Sequence, residues 1–192
     1  MRIFEASYYW LDLLIGYGFP VGLIALYAFK KIPAKILKLF GLGALIGLTW
    51  EVPIFVLSAR TSMPVIVWVR ELPAHYLVFM IGHTLWDGAI FLVGALLAGM
   101  VGKKRFLQGF QWGELAVLAA WGQVTALLVE LSSVTNRAWV YVEGYWWNPT
   151  FARVGDYPLT LLMQVVWFVA PVVLYLAAIR LMPQDAPKSL SV

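Results

Sequence analysis

The sequence predicts an all-α membrane bundle of five spanning helices. Three observations carry that expectation. Of the 192 residues, 62% are hydrophobic and only 12% charged, about half the charged fraction of a soluble domain. Five apolar segments, at about 9–29, 37–59, 76–101, 113–134 and 158–181, are each long enough to cross the hydrocarbon core as a helix. Lysine and arginine gather at the ends of these segments rather than inside them.

Each element has its own justification. Tyr8, Tyr9 and Trp10 form an interfacial aromatic belt at the start of the first segment. Lys30, Lys31, Lys35 and Lys38 flank the first turn, where Pro33 breaks the helix. Gly43 and Gly47 give the second segment a small-xxx-small spacing, which lets helix backbones approach closely. Residues 60–75 are too short and too broken to span, so they are expected to form an interfacial segment or a cap. Lys103, Lys104 and Arg105 are expected to end the third helix. Residues 135–157 read as a long aromatic loop. One domain is expected over 1–182, followed by a polar tail over 183–192. The opening MRIFEASYYWLD has neither a basic n-region nor a small-residue cleavage site, so no removable signal peptide is expected. No internal repeat is evident. Cysteine is absent, which excludes disulfides and thiol catalysis.

The basic residues also predict orientation. With the N-terminus outside, the inner side holds Lys30, Lys31, Lys35, Lys38, Lys103, Lys104, Arg105, Arg180 and Lys188, and the outer side holds Arg2, Arg60, Arg70, Arg137 and Arg153. The excess of basic residues inside favours an outer N-terminus and a cytoplasmic C-terminus. The net charge of +4 therefore reports topology, and nucleic acid is not an expected partner.

The stretch Gly41–Arg60 carries one acid, Glu51, near its middle, between Trp50 and Pro53. An ionisable group inside a spanning segment is costly and marks a functional site by default. An acid among apolar groups can hold a proton at neutral pH and give it up, as a general acid must. The bland alternative is a neutral carboxyl bonded to a neighbouring helix. His83 and Asp87 are four residues apart, on one helix face, so Asp87 can orient His83; the bland alternative is a helix–helix pair. Glu130 joins this candidate catalytic set, with snorkelling to water as its alternative. A mixed metal site of Glu51, His83, Asp87 and Glu130 departs from the usual ligand sets, and neither a metal nor a cofactor is expected. Ser132, Ser133 and Thr135 read as helix-end hydrogen-bonders.

Depth ties these groups together. At 1.5 Å per residue, Glu51 lies roughly 12 Å below the outer end of its helix, and His83 and Asp87 roughly 10 and 16 Å below theirs. Gln123 and Glu130 lie roughly 16 and 6 Å below the end of the fourth, and Gln164 roughly 9 Å below that of the fifth. One cavity opening toward the outer leaflet accounts for this shared depth. Trp50, Trp86, Trp121 and Trp167 fall inside helices near the same groups. Their π faces suit a carbocation, although ordinary packing is the simpler role for any one of them.

The fourth segment contains WGQVTALLVELSS and the fifth reads YPLTLLMQVVWFVAPVVLYLAAIRL. Gly122 and Gln123, then Pro158 and Leu159, then Gln164, Trp167 and Pro171 follow a pattern that resembles the emopamil-binding-protein family. That family comprises the sterol Δ8–Δ7 isomerases and, through the EXPERA-type domain, the sigma-type receptors. The likeness is specific over about 120–180. It implies a five-helix plan with functional acids in the second and third helices, at Glu51 and Asp87. The chain departs from the family pattern with Gln for Asn at 164 and Asp for Glu at 87. It also has Gly47 where the isomerases carry a histidine one turn before the second-helix acid, a place His83 would fill from another helix. A weaker likeness runs to integral-membrane terpene cyclases, through the Trp50-Glu51 pair.

The expectation is therefore an integral-membrane, multi-pass enzyme that shifts a C=C bond in a sterol or isoprenoid lipid. Glu51, Asp87, His83 and Glu130 would carry the protons, and Trp50, Trp86, Trp121, Gln123, Gln164 and Trp167 would hold the substrate. A membrane-bound isoprenoid cyclase and a non-catalytic lipid binder or carrier stand as alternatives. The expected partners are a hydrophobic small molecule or lipid and the membrane, and a homodimer is left open.

Overall fold

A computed structural model describes residues 5–101 and 107–182. The elements in chain order are α1 (Tyr8–Ala28), α2 (Ala34–Arg60), β1 (Ile66–Trp68), α3 (Tyr76–Val101), α4 (Trp112–Thr135), β2 (Trp139–Tyr141), β3 (Thr150–Val154), β4 (Tyr157–Thr160) and α5 (Leu161–Leu181). Among the described residues, five helices are long and apolar enough to cross a membrane, by length and composition. The basic cluster Lys103–Arg105, the tail 183–192 and Arg2 lie outside the described residues.

Spanning helices suit such a sequence because each satisfies its own backbone, which lipid cannot do. Pro33 sits at the N-cap of α2 with extended backbone angles, so the helix begins immediately after it rather than at 37. Of the most apolar stretch in each helix, 56% is buried inside the protein for α3 but only 11% for α1. The centre of the bundle is therefore α3, which packs against α1, α2 and α4, while α5 closes the ring between α4 and α2. Small residues set the closest crossings. A Cβ at Gly122 would stand 2.7 Å from the Trp167 carbonyl oxygen and 2.8 Å from the Pro171 ring, so only glycine lets α4 and α5 meet there.

The connections at one face differ from a purely helical plan. Residues 60–75 do form a cap, and its centre is a strand: β1 pairs antiparallel with β2, Val67 opposite Val140. The expected aromatic loop of 135–157 contains β2 and β3, and β3 pairs with β4 as a hairpin. Its two-residue turn places Gly155 at φ 59, the positive φ that a tight hairpin turn needs at its first position. Consequently α5 starts at Leu161 and not at 158. The Asn148 side-chain oxygen accepts a hydrogen bond from the Leu162 N–H (2.9 Å) and the Pro149 carbonyl accepts one from Leu161 (2.9 Å). Thus the helix start is capped by the loop before the hairpin. The cap is tied to α1 as well, where the Tyr9 hydroxyl donates to the Ala138 carbonyl.

Candidate functional site

Beneath this cap lies a cavity of about 620 Å³ to which all five helices contribute. Glu51 comes from α2, His83, Trp86 and Asp87 from α3, Glu130 from α4 and Trp167 from α5. These are six of the ten residues singled out in the sequence. Asp12 of α1, together with Trp139 and Tyr141 of β2, completes the polar and aromatic wall. A volume of this size suits one small ligand.

His83 is the hub. Its Nε2 lies 2.7 Å from Asp12 Oδ2, and its Nδ1 lies 3.7 Å from Glu51 Oε2. The ring therefore lies between two acidic side chains from two other helices. Phe55 and Trp139 pack on it, with ring centroids 5.1 and 5.5 Å away. A second indole, Trp86, donates its N–H to the Asp12 carbonyl (3.0 Å), which fixes α1 against α3 at this level. Two residues beyond Glu51, Pro53 interrupts the helical hydrogen bonds of α2 from within.

Asp87 sits directly against α2. A Cβ at Gly47 would lie 2.5 Å from Asp87 Oδ2. Gly47 thus provides the space that Asp87 occupies, a physical reason for glycine at this position. Asp87 Oδ2 and Glu130 Oε1 are both sealed from solvent with no partner in hydrogen-bond geometry. Such atoms are rare, and each needs an explanation. The other Glu130 oxygen accepts from Gln164 Nε2 (2.8 Å). Glu130 is only 2% exposed, so it turns inward rather than snorkelling. Beside it, outside the spanning segments, burial and then the Glu130 charge push the Tyr141 phenol well above its ordinary range. Tyr141 therefore keeps its proton.

Four expected substrate contacts are not on the cavity wall. Gln123 donates to the Gln164 backbone carbonyl (3.0 Å), and Gln164 is spent on Glu130. Polar side chains within apolar helices find partners on neighbouring helices, and here α4 and α5 satisfy each other. Trp50 stands behind the wall, 5.7 Å from Trp167 between centroids. Trp121 lines a neighbouring apolar groove and donates to the Ile90 carbonyl (2.8 Å). Conversely, Asp12 was not among the candidates, although an acid four residues into the first apolar segment is a visible signal. Among the described residues, no group of three or more metal-ligating side chains is arranged to hold a metal ion.

Set against family models, curated proteins and solved structures, the chain has no match in any of the three.

Proposed function

We propose that the protein is a five-pass membrane enzyme that moves a C=C bond in a sterol or isoprenoid lipid by acid–base chemistry inside the bilayer. One observation carries this reading. Three buried acids, Glu51, Asp87 and Glu130, and the partly buried Asp12 line one cavity from four helices, and Asp87 Oδ2 and Glu130 Oε1 have no partner in hydrogen-bond geometry. A binder of apolar lipid gains nothing from acids whose burial costs several kcal/mol. A proton-transfer enzyme needs them.

The chemistry balances within the site. Glu51 gives a proton to one alkene carbon and leaves a carbocation on the other. Trp167 and Trp86 line the cavity, and their π faces stabilise that cation while it exists. Asp87 takes a proton from the neighbouring carbon, and the double bond re-forms one position along. Between turnovers Asp87 releases its proton to solvent water, and His83, anchored by Asp12, passes a proton from solvent water to Glu51. The substrate loses and gains one proton each, so no oxidant or cofactor is called for. In this reading the cap faces outside and the Lys30–Lys38 turn faces the cytoplasm.

The test is incubation of purified protein with candidate sterols and isoprenoids in heavy water. The expected product is an isomer with solvent deuterium on carbon, identified by NMR. Ring closure in that product would point to a cyclase. Product formation without deuterium would rule out protonation of the alkene.

A further inference from the structure

We propose that the substrate is an isoprenoid with a long hydrocarbon tail that lies in the groove between α1 and α4, and that Phe19, Val93 and Trp121 at the far end limit its length. This rests on taking the acid-lined cavity as the reacting end.

A second cavity of about 280 Å³ adjoins the first and shares Ile15, Trp86, Ile90, Leu128 and Val129 with it. The two spaces lie end to end along these shared walls. The second leads away from the cap: Glu130 and Trp121 are nine residues apart on α4, a run of about 13 Å. The acids are confined to the first part, and none lines the second.

The polar atoms along the groove are already committed. Trp86 donates to the Asp12 carbonyl, Trp121 to the Ile90 carbonyl, and the Thr125 hydroxyl to the Trp121 carbonyl (2.7 Å). A polar ligand would find no partner there, whereas a hydrocarbon chain needs none. The space is also open sideways. Ile15, Leu128 and Val129 lie well inside their helices yet are 40%, 60% and 38% exposed. At the capped end the same seam is bridged by the Tyr8 and Ser133 hydroxyls, 2.8 Å apart. A tailed lipid can therefore slide in from the bilayer, reacting end toward His83, with its tail trailing along the groove.

The test uses two prenyl alcohols, geranylgeraniol and the shorter farnesol, each carrying a diazirine at the tail end. Full-length protein in lipid nanodiscs is illuminated, and the labelled peptides are mapped by mass spectrometry. The geranylgeranyl probe should label 15–19, 89–93 and 121–129. Val93→Trp fills the far end and should cut that labelling about tenfold while sparing the farnesyl probe. Leu128→Trp, at the exposed junction, should reduce labelling by both, and thermal unfolding checks that each variant is folded. Label spread evenly over the outer faces of α2 and α5 would overturn the proposal. So would a Val93→Trp protein that treats both lengths alike, or groove label displaced by excess phospholipid, which would mark an ordinary lipid tail. Labelling needs no turnover. Groove label without deuterium uptake would therefore count against the acid–base reading alone and leave the tail assignment standing.

Discussion

Two buried acid clusters sit at opposite ends of this bundle, and they are built differently. Away from the cap, Glu114 is fully buried, and both of its oxygens are paired. Gln111 Nε2 donates to one (2.9 Å) and the Tyr175 hydroxyl to the other (2.8 Å). Tyr175 is itself fully buried and accepts from the Gln111 backbone N–H (2.7 Å). This network closes on itself and joins α4 to α5. Under the cap, Asp87 and Glu130 are as deeply buried but each keeps an oxygen without a partner, beside a cavity. Burial alone therefore does not mark a functional acid. What separates the two regions is that both Glu114 oxygens are hydrogen-bonded within the protein, whereas Asp87 Oδ2 and Glu130 Oε1 are not.

Substitutions can break that distinction, and the largest effect is expected at Glu51. Glu51→Gln keeps the volume but removes the acid, and turnover should fall by about 10² or more. Substrate affinity should change far less, because the loss is confined to the transition state. Steady-state kinetics on the isomerising substrate would show this, and full activity would remove Glu51 from the mechanism.

Asp87→Asn should lower turnover by a smaller factor, about tenfold or more, by weakening the second proton transfer. Thermal unfolding should show no loss of stability, because Asp87 Oδ2 has no hydrogen bond to lose. A stability loss with activity intact would make Asp87 a structural acid like Glu114.

Glu114→Leu makes the opposite forecast. It removes the hydrogen bonds that Gln111 Nε2 and the Tyr175 hydroxyl make to this carboxyl, at a cost of about 1–3 kcal/mol, read as a lower unfolding temperature. Activity per folded molecule should be unchanged. If turnover collapses while stability holds, the comparison between the two clusters fails.

The smallest effect belongs to the exposed pair Glu143 and Arg153 on the cap. Its hydrogen bond to Arg153, and a second from Thr150, hold the Glu143 carboxyl below its ordinary range. The group therefore binds fewer protons folded than unfolded. Its contribution is complete above the unfolded value and is lost as pH falls through the lower, folded one. Between wild type and Glu143→Gln, a slight stability difference at neutral pH should vanish in acid.

Much of this was legible in the sequence, and the parts that were not have identifiable reasons. Glu51, His83 and Asp87 stood out because a charge inside an apolar run is conspicuous, and depth along each helix placed them at one level. Asp12 carries the same signal, but it stands only four residues into the first segment, next to the belt of Tyr8, Tyr9 and Trp10. The hairpin also had its mark, since Gly155-Asp156 between TFARV and YPLT is a recognised turn pair. The hydrophobicity of Pro158 and Leu159 drew them into the following helix instead.

By itself, the sequence determined the number of long apolar helices, their approximate ends and the position of the ionisable groups along them. Each of these follows from local composition and the fixed rise of a helix. Only the tertiary structure decided which face each helix turns to its neighbours. Gln123 and Gln164 have the depth of Glu51, yet they pair across α4 and α5 and leave the cavity wall to Trp167 and Met163. The start of α5 was decided the same way, by Asn148 reaching Leu162 from fourteen residues earlier. Rotation about a helix axis is set by packing partners distant in the chain, and a helix that is apolar all round carries little record of it.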